Sequence, residues 1–171
     1  MSTREGAPRA DVARNREGVL AAALAVFSRD PEASMREVAD ASGLGRTTVY
    51  RHFPNRDALV RALFEQVFDR AVVDVGAILD AVDEPREVLP RVATATLAIA
   101  DQYRFLAAHQ AVGDEVRRRP RADPLLVWIE AQLAAGRLRP LGAPWIHGMV
   151  VALIVAATEE IHDGRASAAD A

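Results

Sequence analysis

Residues 34–63 read SMREVADASGLGRTTVYRHFPNRDALVRAL, and this stretch decides the fold. Ser34 and Glu37 are spaced as a capping box, with the hydroxyl at the N-cap and the carboxylate at the third helical position. The helix they open turns Val38 and Ala39 inward and ends at Gly43, so it is only about two turns long. A second short helix runs from about Gly45 to His52. Phe53-Pro54 stops it, because proline disfavours helical geometry in the residue before it. Asn55 is a good N-cap for a third helix, with Asp57 in the first turn where the helix dipole favours an acid. Two short helices thus meet at a tight turn, Ser42-Gly43-Leu44. Small Ala39 lies one turn earlier, where crossing helices need close approach. This is the pattern of a helix-turn-helix, whose second helix enters the DNA major groove.

On that second helix Leu44, Val49 and Phe53 face the core, which leaves Arg46, Thr47, Thr48, Tyr50 and Arg51 exposed. Arginine can pair bidentately with guanine, and threonine can donate, accept or touch a thymine methyl. Tyr50, His52 and the start of the following helix can hold phosphates. Asn55 and Arg56 sit at a helix N-terminus, which favours anions. The charge distribution agrees with this reading. The chain has 171 residues, a net charge of −3 and no lysine. Residues 1–56 hold nine arginines and seven acids, whereas residues 57–171 hold twelve and seventeen. Leu44 to Arg56 carries three arginines and no acid. A local basic stripe on an acidic body suits a DNA-reading head. A solvated helix face has the same composition, so charge alone does not decide between them.

Outward from this stretch the chain reads as all helix. Residues 1–9 have little apolar content and are expected to be a disordered tail. A helix over about 11–28 precedes the motif, with Leu20, Leu24 and Phe27 on one stripe. The helix opened by Asn55 is long and reaches about Val82. Further helices are expected over about 86–100, 102–119, 124–135 and 144–162. The expected division is a head over residues 10–56 and a helical bundle over 57–171. The run Met149–Ala157 is apolar all round, so its helix must be buried on more than one side, and a second subunit is the natural cover.

Other chemistries find little support. The chain has no cysteine, hence no disulfide framework, thiolate zinc site or cysteine nucleophile. The longest apolar runs are nine residues, against roughly 20 for a membrane span. The N-terminus lacks a signal-peptide core. A soluble cytoplasmic protein without cofactor or metal is the expectation. Glu159-Glu160-Ile161-His162 contains a Glu-x-x-His pattern, but no second copy completes a carboxylate-bridged metal bundle. Gly43-Leu44-Gly45 lies between helices and lacks the context of a nucleotide loop. No nucleophile elbow is visible. Arg117-Arg118-Arg119-Pro120-Arg121 is a basic loop that could bind an anion or simply be solvated.

The segment from Ser34 to Leu63, with Ala22 to Phe27 before it, resembles the DNA-binding domain of the TetR family of bacterial transcriptional regulators. Ala39, Gly43, Tyr50, Phe53 and the Asn55–Leu59 cap occur together at the family spacing, over about residues 14–65. Ser34 stands where the family often has threonine and Arg56 where it often has lysine, which keeps the cap and the charge. The resemblance implies that Arg36 reaches a base or phosphate. It implies that Gly45, Arg46, Thr47 and Thr48 form the reading edge, and that Tyr50, Arg51, His52 and Arg56 clamp the DNA backbone. It also implies a homodimer on a palindromic operator, released by a small molecule bound in the second domain. The aromatic residues there suggest an apolar or aromatic effector. Candidate pocket residues are Phe68, Tyr103, Phe105, His109, Trp128 and Trp145, each equally at home in a bundle core. The last helix supplies dimer candidates: His147, Val150, Val151, Ile154 and Thr158. Ser167-Ala168-Ala169 reads as the start of a ninth helix cut short. A helical-bundle enzyme or ligand carrier with no DNA role is the alternative.

Overall fold

In the computed structural model, which describes residues 6–82 and 84–162, every regular element is helical. In chain order these are α1 (Gly6–Phe27), α2 (Met35–Ser42), α3 (Arg46–His52), α4 (Arg56–Ala81) and α5 (Pro85–Gln102). A 3₁₀ segment (Arg104–His109) follows, then α6 (Gln110–Arg117), α7 (Pro124–Ala134) and α8 (Ala143–His162). No described helix is long and apolar enough to cross a membrane.

The chain forms two compact units. One comprises the described residues up to Glu65 together with 105–116; the other comprises Gln66–Arg104 and the described residues from Arg117 onward. This differs from a simple cut after residue 56. The boundary falls inside α4, and a later segment completes the first unit.

In the first unit α1 starts at Gly6 rather than near Asp11. Pro8 lies in its first turn, where no intrahelical donor is lost. Residues 6–9 of the expected tail are therefore helical, and residues 1–5 lie outside the described residues. Val19, Leu20, Ala23 and Phe27 are buried on α1, Val38 and Ala39 on α2, Val49 on α3, and Leu59 and Leu63 on α4. Phe105, Leu106 and Val116 are buried too, and the Phe105 ring lies 5.7 Å from that of Phe27. Arg61 and Glu115 form an ion pair at 2.6 Å. Gly113 is close to Phe64: a Cβ there would stand 2.7 Å from the ring, so α6 can approach only without a side chain at this position.

The second unit packs Val75, Val82, Val88, Val92, Leu125 and Ile129 into one cluster. Asp123 caps α7, its Oδ1 accepting from the Leu126 N–H at 3.0 Å, with Pro124 at the first helical position. The single helix expected over 102–119 is instead the 3₁₀ segment plus α6, ending at Arg117. The chain passes from one unit to the other between Arg104 and Phe105, where it takes the tighter geometry common in connectors. The suggested ninth helix at Ser167 lies outside the described residues.

Candidate nucleic-acid interface

The α2 cap forms as the sequence requires. Ser34 donates from both its N–H and its Oγ to Glu37 Oε2, each at 2.8 Å, and its Oγ accepts from the Glu37 N–H at 3.3 Å. The backbone hydrogen bond from Ser34, then the hydroxyl bond, hold the Glu37 carboxyl below the ordinary glutamate range. A lowered carboxyl pKa contributes stability that is present above the unfolded value and lost as pH falls through the folded one. Acidification below about pH 4.3 should therefore loosen α2 in the wild type. Thermal melts of Glu37→Gln, which cannot titrate, should show a smaller acid-side loss; equal losses would remove the box from the acid response.

At the other end of α2, Gly43 takes a left-handed φ of 67°, a conformation that costs other residues about 1–2 kcal/mol. Ser42 Oγ donates to the Ala39 carbonyl at 2.8 Å and accepts from the Leu44 N–H at 3.2 Å. These bonds fix the turn. α3 then buries Val49, with Phe53 at its C-cap also buried. The opposite edge carries Arg46, Thr47, Tyr50 and Arg51 exposed, with Thr48 half-buried, and Gly45 is exposed just before it. Nothing lies within 4 Å of a Cβ built on Gly45, so the fold itself does not require glycine there.

Two expected contacts look different in three dimensions. His52 is half-buried beside Phe53, with its Nε2 out of solvent. A ring in that position presents less to a phosphate than the sequence suggests. Arg56 is engaged inside the first unit. Its Nη1 lies 3.1 Å from His109 Nε2, its Nη2 donates to the Pro31 carbonyl, and its guanidinium stands 4.9 Å from the Phe27 ring centroid. Because arginine can only donate, the Arg56 guanidinium is the donor of this contact. Arg56→Met should lower the melting temperature, with a loss of about 1–3 kcal/mol for these contacts. It should leave the salt dependence of DNA binding unchanged. A salt slope reduced by about one charge with an unchanged melt would return Arg56 to the phosphate-clamping role.

The acid that residues 44–56 lack is supplied by α2. Asp40 Oδ1 lies 3.5 Å from Arg46 Nη2, and its Oδ2 lies 3.8 Å from Arg36 Nε. All three side chains are more than half exposed. Nothing in the linear charge pattern of α3 reveals this, since Asp40 is on the other helix.

Residues 19–63 match the family model for bacterial regulatory proteins, tetR family. Over 181 aligned positions the chain is 30% identical to the HTH-type transcriptional regulator Rv1255c of Mycobacterium tuberculosis, covering 96% of this chain and 85% of that one. The chain belongs to the TetR family. It is a helix-turn-helix transcriptional regulator and not an enzyme. It is also similar to the HTH-type transcriptional repressor LfrR of Mycolicibacterium smegmatis, at 43% identity over 56 residues. That sequence match spans 33% of this chain and 30% of LfrR. The crystal structure of the M. smegmatis LfrR superposes with a TM-score of 0.50 at 25% identity, covering 86% of this chain and 85% of that one. A TetR family regulator from Marinobacter aquaeolei shares the fold, with a TM-score of 0.56 at 16% identity, over 94% of this chain and 88% of that one.

The second unit of this TetR-family chain does not gather the six pocket candidates. Phe105 and His109 belong to the first unit. Trp128 packs on the apolar cluster of the second, and Trp145 is exposed. Tyr103 is buried, which pushes its phenol pKa up, with the Arg70 charge opposing. Phe68 is half-buried, with the Arg117 and Arg121 guanidinia near its ring. Among the described residues a groove of about 400 Å³ lies between Leu89, Ala93 and Leu97 of α5 and Val150, Leu153, Ile154 and Ala157 of α8. The four-residue spacing of Leu89, Ala93 and Leu97 is the one sequence signal that could have found it.

Of the dimer candidates on α8, two are turned inward. Val150 and Ile154 pack on the cluster, and Val151 is half-buried. His147 Nε2 lies 2.8 Å from Asp123 Oδ2, and Thr158 Oγ1 donates to the Ile154 carbonyl at 2.8 Å. The exposed stripe is Trp145, Met149 and Leu153, at 56%, 45% and 67% exposure. It lies one residue, about 100°, around the helix from the expected face. A run that is apolar all round carries no phase, so its two faces could not be told apart from sequence.

Proposed function

We propose that this chain is a ligand-responsive repressor that acts in the cytoplasm as a homodimer on a palindromic operator. The observation that carries the reading is α3, which is anchored by Val49 and Phe53 and presents Arg46, Thr47, Tyr50 and Arg51 together on its exposed edge. Gly45, Arg46, Thr47 and Thr48 lie along the bases, Tyr50 and Arg51 hold phosphates, and Arg36 reaches the flank. Arg56 and His52 hold the head in shape. The repressor name of LfrR supports the sign of regulation. The α8 stripe Trp145, Met149 and Leu153 supports a second copy, because an apolar face of this kind is usually an interaction site. The apolar groove between α5 and α8 falls in the volume range of small-molecule sites. A bound effector lowers operator affinity only if it binds the DNA-incompetent state more tightly than the competent one.

Selection of binding sites from random duplex DNA with the full chain, at two salt concentrations, tests this reading. The expected result is an enriched inverted repeat whose affinity falls steeply with salt, as phosphate neutralisation requires. No enrichment from a folded dimer would instead favour a ligand-binding bundle without a DNA role.

A further inference from the structure

The arginine run between α6 and α7 would ordinarily be a solvated loop, and Arg121 departs from that. Its side chain is half-buried. Its guanidinium carbon stands 5.0 Å from the Phe68 ring centroid. Its Nη1 is out of solvent with no hydrogen-bond acceptor, and no carboxylate pairs with it among the described residues. Arg117 brings a second guanidinium to 5.9 Å from the centroid of the same ring. A buried donor left unmade is costly, and more so on a charged group. A guanidinium resting near an aromatic ring keeps a planar fork of donors that matches a carboxylate or phosphate.

We propose that Arg121, backed by Phe68 and flanked by Arg117, anchors the oxyanion of the effector at a site separate from the apolar α5–α8 groove, which none of these three residues lines. The ligand class is then an organic acid or phosphate ester, not the neutral apolar molecule that the aromatic content alone suggests. The inference rests on the ligand-responsive reading above and names the chemistry of its ligand. The oxyanion accepts from Arg121 Nη1–H, and an apolar body can lie against the neighbouring ring.

Calorimetric titrations of the full chain with benzoate, with its neutral isostere benzyl alcohol and with inorganic phosphate, at matched ionic strength, test the site. Wild type should bind benzoate or phosphate saturably and benzyl alcohol far more weakly. Arg121→Met should weaken anion binding at least about tenfold, the scale of one charged hydrogen bond, and Arg121→Lys should restore part of it. Arg121→Met should also melt no lower than wild type, because it removes an unpaired donor; a folded variant keeps the titration interpretable. Equal binding of benzyl alcohol, anion binding unchanged in Arg121→Met, or no saturable anion binding in wild type would each overturn the proposal. Operator affinity measured beside these titrations separates the two readings. Anion binding that leaves operator affinity unchanged supports the site and overturns ligand response through it. A neutral compound that releases operator while anions do not bind does the reverse.

Discussion

Leu153→Glu should convert the proposed homodimer to a monomer and remove most of the operator affinity. Leu153 is the most exposed member of the α8 stripe. In a two-fold interface the same patch meets itself, so each substitution is presented twice and two carboxylates face each other. An unpaired charge buried in an interface costs several kcal/mol, more than an interface built on three side chains per subunit can spare. A monomer has one head and loses the advantage of linked half-sites, which amounts to roughly 10²–10⁴ in affinity. Sedimentation of the protein and gel shift on the selected operator read both effects. Val73→Glu is the control: Val73 is equally exposed at 66% but lies on α4, and this variant should remain dimeric and bind normally. A wild-type chain that sediments as a monomer, or a Leu153→Glu dimer, would remove α8 from the interface.

Arg46→Ala should relax base preference at one position in each half-site. Arg46 is the first residue of α3 and is exposed. One bidentate arginine–guanine pair discriminates by about 1–3 kcal/mol, and a palindrome counts it twice. The expected loss on the full operator is therefore about 2–6 kcal/mol, roughly 30-fold to 10⁴-fold. Repeating the selection with the variant reads the position directly, and an unchanged motif would take Arg46 off the reading edge. Asp40 makes a companion variant informative. Its carboxylate stands near both Arg46 and Arg36, so Asp40→Asn removes an anion from a surface that meets phosphates. Affinity for all sequences should rise while the ratio between operator and random DNA falls.

The parts of this molecule that could be read from the sequence are those governed by local rules. Ser34 with Glu37, Gly43, Phe53-Pro54 and Asn55 mark helix ends by chemistry confined to a few neighbouring residues, and α2, α3 and the start of α4 lie close to where those signals put them. What could not be read depends on partners distant in the chain. Arg56 looks like a free cation at a helix start until Pro31, His109 and Phe27 are brought around it. Phe105 looks like a pocket aromatic until it meets Phe27. The face of α8 was undetermined because Val150 and Met149 are both apolar, and only packing in the second unit separates inside from outside. Arg121 was indistinguishable from Arg118 and Arg119 until its burial against Phe68 set it apart.

Phe105, Leu106 and Val116 complete the core of the N-terminal unit, and this has a practical consequence for modularity. The DNA-reading head is not a detachable cassette. A fragment ending at Glu65 would lack Phe105 over Phe27 and Glu115 beside Arg61, leaving an apolar patch that invites aggregation. A chimera that grafts this head onto another regulator's ligand domain must therefore carry residues 105–116 as well, or rebuild the acceptor helix to match Phe27 and Phe64. Gly113 narrows the choice further, since a donor helix with any side chain at that position would be pushed off the Phe64 ring.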